Sequence, residues 1–81
     1  MARQIDSVAD FDRQVLESTK PVLVDFYATW CGPCRFLSPI LEQIATELGD
    51  KVDVVKVDVD KVMDLAARYR IQGVPTVILF D

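Results

Sequence analysis

The sequence contains no histidine and only two cysteines, and these scarcities narrow its chemistry before any pattern is read. Without imidazole there is no Ser-His-Asp or Cys-His catalysis and none of the common imidazole metal sites. Cys31 and Cys34 lie too close together in sequence to form the framework of a disulfide-rich secreted scaffold, which needs several bridges closing long loops. A single CxxC supplies half of a four-thiolate zinc site, so no metal is expected. No run of Lys or Arg occurs and the net charge is −4, which removes the electrostatic footprint for nucleic acid or an anionic membrane. No apolar run could span a bilayer, and Met1-Ala2-Arg3-Gln4-Ile5-Asp6 lacks the apolar core of a signal peptide. A cytoplasmic location is the expectation.

What is present fits one small globular domain over residues 1–81. Of the 81 residues, 51% are hydrophobic and 27% charged, an ordinary globular balance. A chain of this size buries roughly 60% of its unfolded surface, enough to fold without staples but with little to spare.

Ser7-Val8-Ala9-Asp10 fits a capping box, and Val8, Phe11 and Val15 follow at helical spacing. Pro21 disfavours helical geometry at Lys20, so this helix should stop near Thr19. Val22 to Ala28 is β-rich and almost continuously apolar, as a strand covered on both faces reads. From Cys34, the residues Leu37, Leu41, Ile44 and Leu48 recur at three- and four-residue steps. Gly49 is a natural stop, and Pro39 predicts a kink. Val52, Val54, Val55 and Val57 mark a strand, after which Asp60 can cap a short helix with Val62, Leu65, Ala66 and Tyr69 on its buried stripe. Gly73-Val74-Pro75 breaks the pattern before a final strand over Thr76–Phe80. With a short first strand at Gln4–Asp6, strands and helices alternate throughout, which implies an α/β sheet.

Trp30-Cys31-Gly32-Pro33-Cys34 therefore sits where a buried strand ends and a helix begins. A helix N-terminus carries about half a positive charge and unpaired N–H groups, both of which favour a thiolate. Cys31, on the loop side, is expected to meet solvent, and Cys34 to be shielded. The bland readings are a structural disulfide, idle thiols, or a metal or iron–sulfur site shared by two chains; placement at the helix start favours redox chemistry. Asp58, Asp60 and Asp64 read most simply as a solvated acidic face.

Val24-Asp25-Phe26-Tyr27-Ala28-Thr29-Trp30-Cys31-Gly32-Pro33-Cys34 resembles the active-site segment of the thioredoxin family, in its WCGPC form. Pro39, Lys56 and Gly73-Val74-Pro75-Thr76 recur at that family's separations, and the resemblance runs over essentially the whole chain. It implies a thioredoxin-like fold with a central mixed sheet flanked by helices, a cis peptide bond before Pro75, and protein disulfides as substrates. It also implies a thioredoxin reductase as electron donor, and no cofactor beyond the redox-active Cys31–Cys34 pair. Arg35 stands where the family often has lysine. The neutral Gly32-Pro33 spacer argues, by the same resemblance, for a reductant over an oxidase or isomerase.

In thiol–disulfide exchange, Cys31 would attack the substrate disulfide and Cys34 would resolve the mixed disulfide. Asp25, mid-strand in an apolar run, is the candidate proton acceptor for Cys34, directly or through a water; the alternative is a carboxylate bonded to a backbone amide. Lys56, on the neighbouring strand, is its candidate partner or else a solvated strand lysine. Trp30, Gly32, Pro33, Val74 and Pro75 are candidates for binding substrate, although Trp30 could be plain core and Pro75 an ordinary turn proline. The chain also stops before the family's last strand and C-terminal helix. That ending would leave the fold incomplete, bare one sheet face and expose Thr76–Phe80 as an edge. The expectation that follows is self-association through this strand, and an alternative role as a poorly active module that binds itself or a partner.

Overall fold

The computed structural model describes all residues 1–81. The elements run β1 (Arg3–Ile5), α1 (Val8–Phe11, continued by a π-helical turn over Asp12–Leu16), β2 (Val22–Tyr27), α2 (Gly32–Glu47), β3 (Asp53–Asp58), α3 (Met63–Arg68) and β4 (Thr76–Phe80). The strands form one sheet in the order β1-β3-β2-β4. β1, β3 and β2 are parallel, and β4 is antiparallel to β2.

Alternation along the two central strands divides the core. Val22, Val24 and Phe26 of β2 join Val55 and Val57 of β3 and Ile5 of β1 under Phe11, Val15, Val62 and Leu65. On the opposite face Leu41 and Ala45 of α2 pack on Val54, with Leu23, Leu37 and Ile44 at the margin. The two covered faces explain why β2 reads as a continuous apolar run.

The helix boundaries hold departures from the sequence reading. Ser7 caps α1, its Oγ accepting the Asp10 amide at 3.0 Å, while the Asp10 carboxylate takes the Asp6 amide at 3.2 Å, one residue earlier than a strict capping box would have it. The helix widens so that the Glu17 amide donates to the Asp12 carbonyl at 3.1 Å. It ends at Glu17 and not near Thr19, because the Ser18 hydroxyl closes its own turn on the amide and carbonyl of Lys20. α2 begins at Gly32, two residues before Cys34, and runs through Pro39. Gly49 is required by close approach: a Cβ there would lie 2.6 Å from the Ala45 carbonyl oxygen.

Asp60 does not cap α3. The residue at the cap position is Val62, which offers no side-chain bond. The other end of α3 is the better formed. Arg70 adopts φ 54°, the Ile71 amide reaches the Ala66 carbonyl at 2.9 Å and the Arg70 amide reaches Ala67 at 3.2 Å. This is a Schellman turn with arginine where glycine is usual. It directs the chain into Ile71–Pro75, which borders the site.

Candidate functional site

Cys31 and Cys34 are joined in a disulfide, with Cα atoms 5.3 Å apart. Cys31 is the N-cap residue of α2, and its sulfur accepts the Cys34 amide at 3.2 Å. Pro33 occupies the first turn, where its missing N–H forfeits nothing, and Gly32 and Pro33 lie exposed above it. An unpaired helix-end N–H aimed at the Cys31 sulfur is a donor that favours a thiolate there once the disulfide is reduced.

The expected contrast in exposure is absent. Cys31 is 4% exposed and Cys34 is 5% exposed. Both pack with Ala28, and with Val59, Val74 and Tyr27 at the margin, because the loop folds back onto the strand ends. What distinguishes the two residues is the hydrogen bond to the Cys31 sulfur, not their burial.

Trp30 is exposed, not core, and its indole nitrogen donates to the Asp60 carboxylate at 2.9 Å. Asp58, buried, in turn accepts the Asp60 amide at 2.9 Å. The supposed acidic face is therefore divided: Asp58 and Asp60 build an Asx turn that steadies Trp30, and only Asp64 stays exposed without such a bond. An Asp-x-Asp step after a strand is the sequence signal that could have revealed it. Trp30, Val59, Ile71 and Val74 line an apolar groove of about 140 Å³ beside the disulfide. Val59 and Ile71 were missed from sequence, since neither falls on an element's apolar stripe.

The Val74–Pro75 peptide is cis, as the family resemblance implies. Val74 makes no backbone hydrogen bond outside the regular elements and packs against the cysteine pair. Pro75 is half-buried between Val74 and the start of β4.

Asp25 is 1% exposed and neither carboxylate oxygen has a hydrogen-bond partner. The alternative of a carboxylate bonded to a backbone amide is thereby excluded. Burial pushes its pKa above the usual carboxylate range, opposed by the Lys56 ammonium. Asp25 lies two residues before Tyr27, on the same strand face, and Tyr27 lines one cavity with Cys34. Lys56 is the register partner of Asp25 on β3, yet its ammonium donates to Ser38 Oγ at 3.0 Å and lies 4.7 Å from the Tyr27 ring centroid. Ser38 escaped sequence reading, because a helix-to-strand contact has no local signal.

The state of Asp25 carries a sign. The unfolded chain ionises Asp near about 3.9, and the folded value is higher, so between the two the native state holds the extra proton. The contribution of this group to stability is complete below the unfolded value and lost as pH rises through the folded one. Asp25→Ala is therefore expected to raise stability by about 1–3 kcal/mol at pH 8, the gain shrinking toward pH 4. Urea melts of both proteins across that range check it. A difference that is constant with pH would show that Asp25 pays no ionisation penalty.

The thioredoxin family model matches residues 3–81. Thioredoxin Y, chloroplastic, of Oryza sativa subsp. japonica is 53% identical over 72 residues, covering 89% of this chain and 43% of that protein. A thioredoxin-like protein of Synechocystis sp. is also 53% identical over 72 residues, covering 89% of this chain and 69% of its own length. A bifunctional thioredoxin reductase/thioredoxin of Mycobacterium leprae is 50% identical over 73 residues, covering 90% of this chain and 16% of that protein. The chain thus spans less than half of the rice relative and about two thirds of the cyanobacterial one.

Proposed function

The chain belongs to the thioredoxin family, and from that membership we propose that it reduces protein disulfides through Cys31 and Cys34, with a thioredoxin reductase restoring the dithiol. The observation that carries the reading is the disulfide at the N-terminus of α2, with a helix-end amide on the Cys31 sulfur. In the reduced protein the Cys31 thiolate attacks a substrate disulfide, forming a mixed disulfide and expelling one substrate thiolate. Cys34 then gives its proton to Asp25, attacks the Cys31 sulfur and expels the second substrate thiolate. The substrate gains two electrons and the Cys31–Cys34 bond re-forms.

The groove beside Trp30 and Val74 takes the substrate segment, whose backbone pairs with the free N–H and C=O of Val74. Gly32 and Pro33 lie exposed beside Cys31 and add no charge to the docking surface. A bifunctional reductase/thioredoxin among the relatives supports the choice of electron donor. A reducing compartment such as the cytoplasm suits a disulfide that must be opened in every cycle.

An insulin-type reduction assay with dithiothreitol or a reductase tests this. Turnover well above the chemical background supports the reading; background rates with an intact, reducible Cys31–Cys34 pair overturn it. The second reading, a module acting by association with itself or a partner, is favoured by β4. On this edge strand Val77 and Leu79, opposite Asp25 and Leu23, are 40% and 57% exposed, and an apolar edge is a template for pairing. Sedimentation at several concentrations separates the two: a monomer with turnover favours the enzyme, an inactive oligomer the module.

A further inference from the structure

Asp25 and Lys56 are register partners on adjacent parallel strands, so their side chains leave the same face of the sheet. A carboxylate and an ammonium so placed would ordinarily meet. Here they do not: both Asp25 oxygens are unpartnered, and the ion pairs of the chain involve Asp10, Asp12 and Asp53 only. The ammonium is held elsewhere, by the hydroxyl of Ser38 at 3.0 Å and over the face of Tyr27.

Ser38 is an unusual residue for its place. Serine inside a helix is disfavoured relative to alanine and commonly turns its hydroxyl back to the carbonyl four residues earlier. Ser38 makes no such bond; its side chain takes only Lys56. It stands one helical turn after Cys34 on the same face of α2, and Ser38, Cys34 and Lys56 line one cavity of about 210 Å³, roomy enough for water.

We propose that Ser38 is a positioning residue for the resolving step: by anchoring the Lys56 ammonium to α2 it withholds from Asp25 the ion pair that the strand register would otherwise form. Kept apart from the cation, Asp25 stays a strong base for the Cys34 proton. The proposal rests on the reading of Asp25 given above. The groups around Asp25 leave few other determinants. β4 brings Val77, which does not titrate; β3 brings Lys56 and, at its end, Asp58; β2 brings Tyr27; α2 brings Cys34 and Arg35 to the cavity.

The test is the titration of the Asp25 carboxyl carbon by NMR in the oxidised protein, for the parent, Ser38→Ala and Ser38→Thr, beside the pH profile of mixed-disulfide resolution. Ser38→Ala frees Lys56 to approach the nearest unpartnered acceptor, so the Asp25 midpoint falls by about one unit, a tenfold change in proton affinity. The acid limb of the resolution profile moves down with it, and the plateau drops several-fold as the base weakens. Ser38→Thr, which keeps the hydroxyl, restores both. A midpoint unchanged or raised in Ser38→Ala overturns the proposal. A midpoint that falls while the rate profile stays fixed supports the tether and overturns Asp25 as the base, so the two failures are distinguishable. Alanine favours the helix, and far-UV circular dichroism confirms the fold of each variant.

Discussion

Cys31→Ser is expected to abolish turnover on protein disulfides, whereas Cys34→Ser is expected to stop after the first half-reaction with substrate held covalently on Cys31. The asymmetry is not written in residue burial, since Cys31 and Cys34 are both buried. It comes from the end of α2. The Cys34 amide points at the Cys31 sulfur, so reduction places the favoured negative charge on Cys31 and leaves Cys34 as the thiol. Without Cys34 no nucleophile stands within the same turn to release the adduct, and its lifetime becomes that of intermolecular exchange. Mass spectrometry of a peptide digest after reaction with a disulfide substrate identifies the attached cysteine. An adduct mainly on Cys34 in the parent protein would reverse the two roles.

The second large effect is on stability. Phe11 is fully buried and its ring lies 5.6 Å from both Tyr69 and Phe80, so one side chain ties α1 to the end of α3 and to β4. Phe11→Ala is expected to cost about 3–5 kcal/mol, a large share of the about 5–15 kcal/mol that holds a typical domain. Phe36, 83% exposed on α2, is the matched control, and its replacement by alanine should stay within about 0.5 kcal/mol. Urea midpoints at constant slope measure both. A loss below about 1 kcal/mol for Phe11→Ala would show that the aromatic cluster does not hold the elements together.

The alternation of strands and helices was legible because each element carries its own period. Phe11 and Val15 keep their places although the helix widens between them, since a four-residue step returns to nearly the same face in either geometry. The same tolerance is why the π-helical turn left no trace in the pattern. At the site, the CxxC placement, the burial of Asp25 and the proline turn followed from local sequence. The equal burial of Cys31, the Asp60 bond to Trp30 and the Ser38 bond to Lys56 did not. Each joins residues from different elements, so it is set by how layers pack and not by spacing along the chain.

The position of β2 has a consequence for how the molecule loosens. β2 is bonded to β3 along one side and β4 along the other, and Ala28, Thr29 and Trp30 alone separate its end from Cys31. Strands flanked on both sides release their amide hydrogens only in the rarest, most global openings, while edges such as the three-residue β1 exchange by fraying. In deuterium exchange the slowest amides should therefore map to β2 and β3. The redox turn hangs from the last part of the sheet to come apart, and it stays in register through fluctuations that strip either edge.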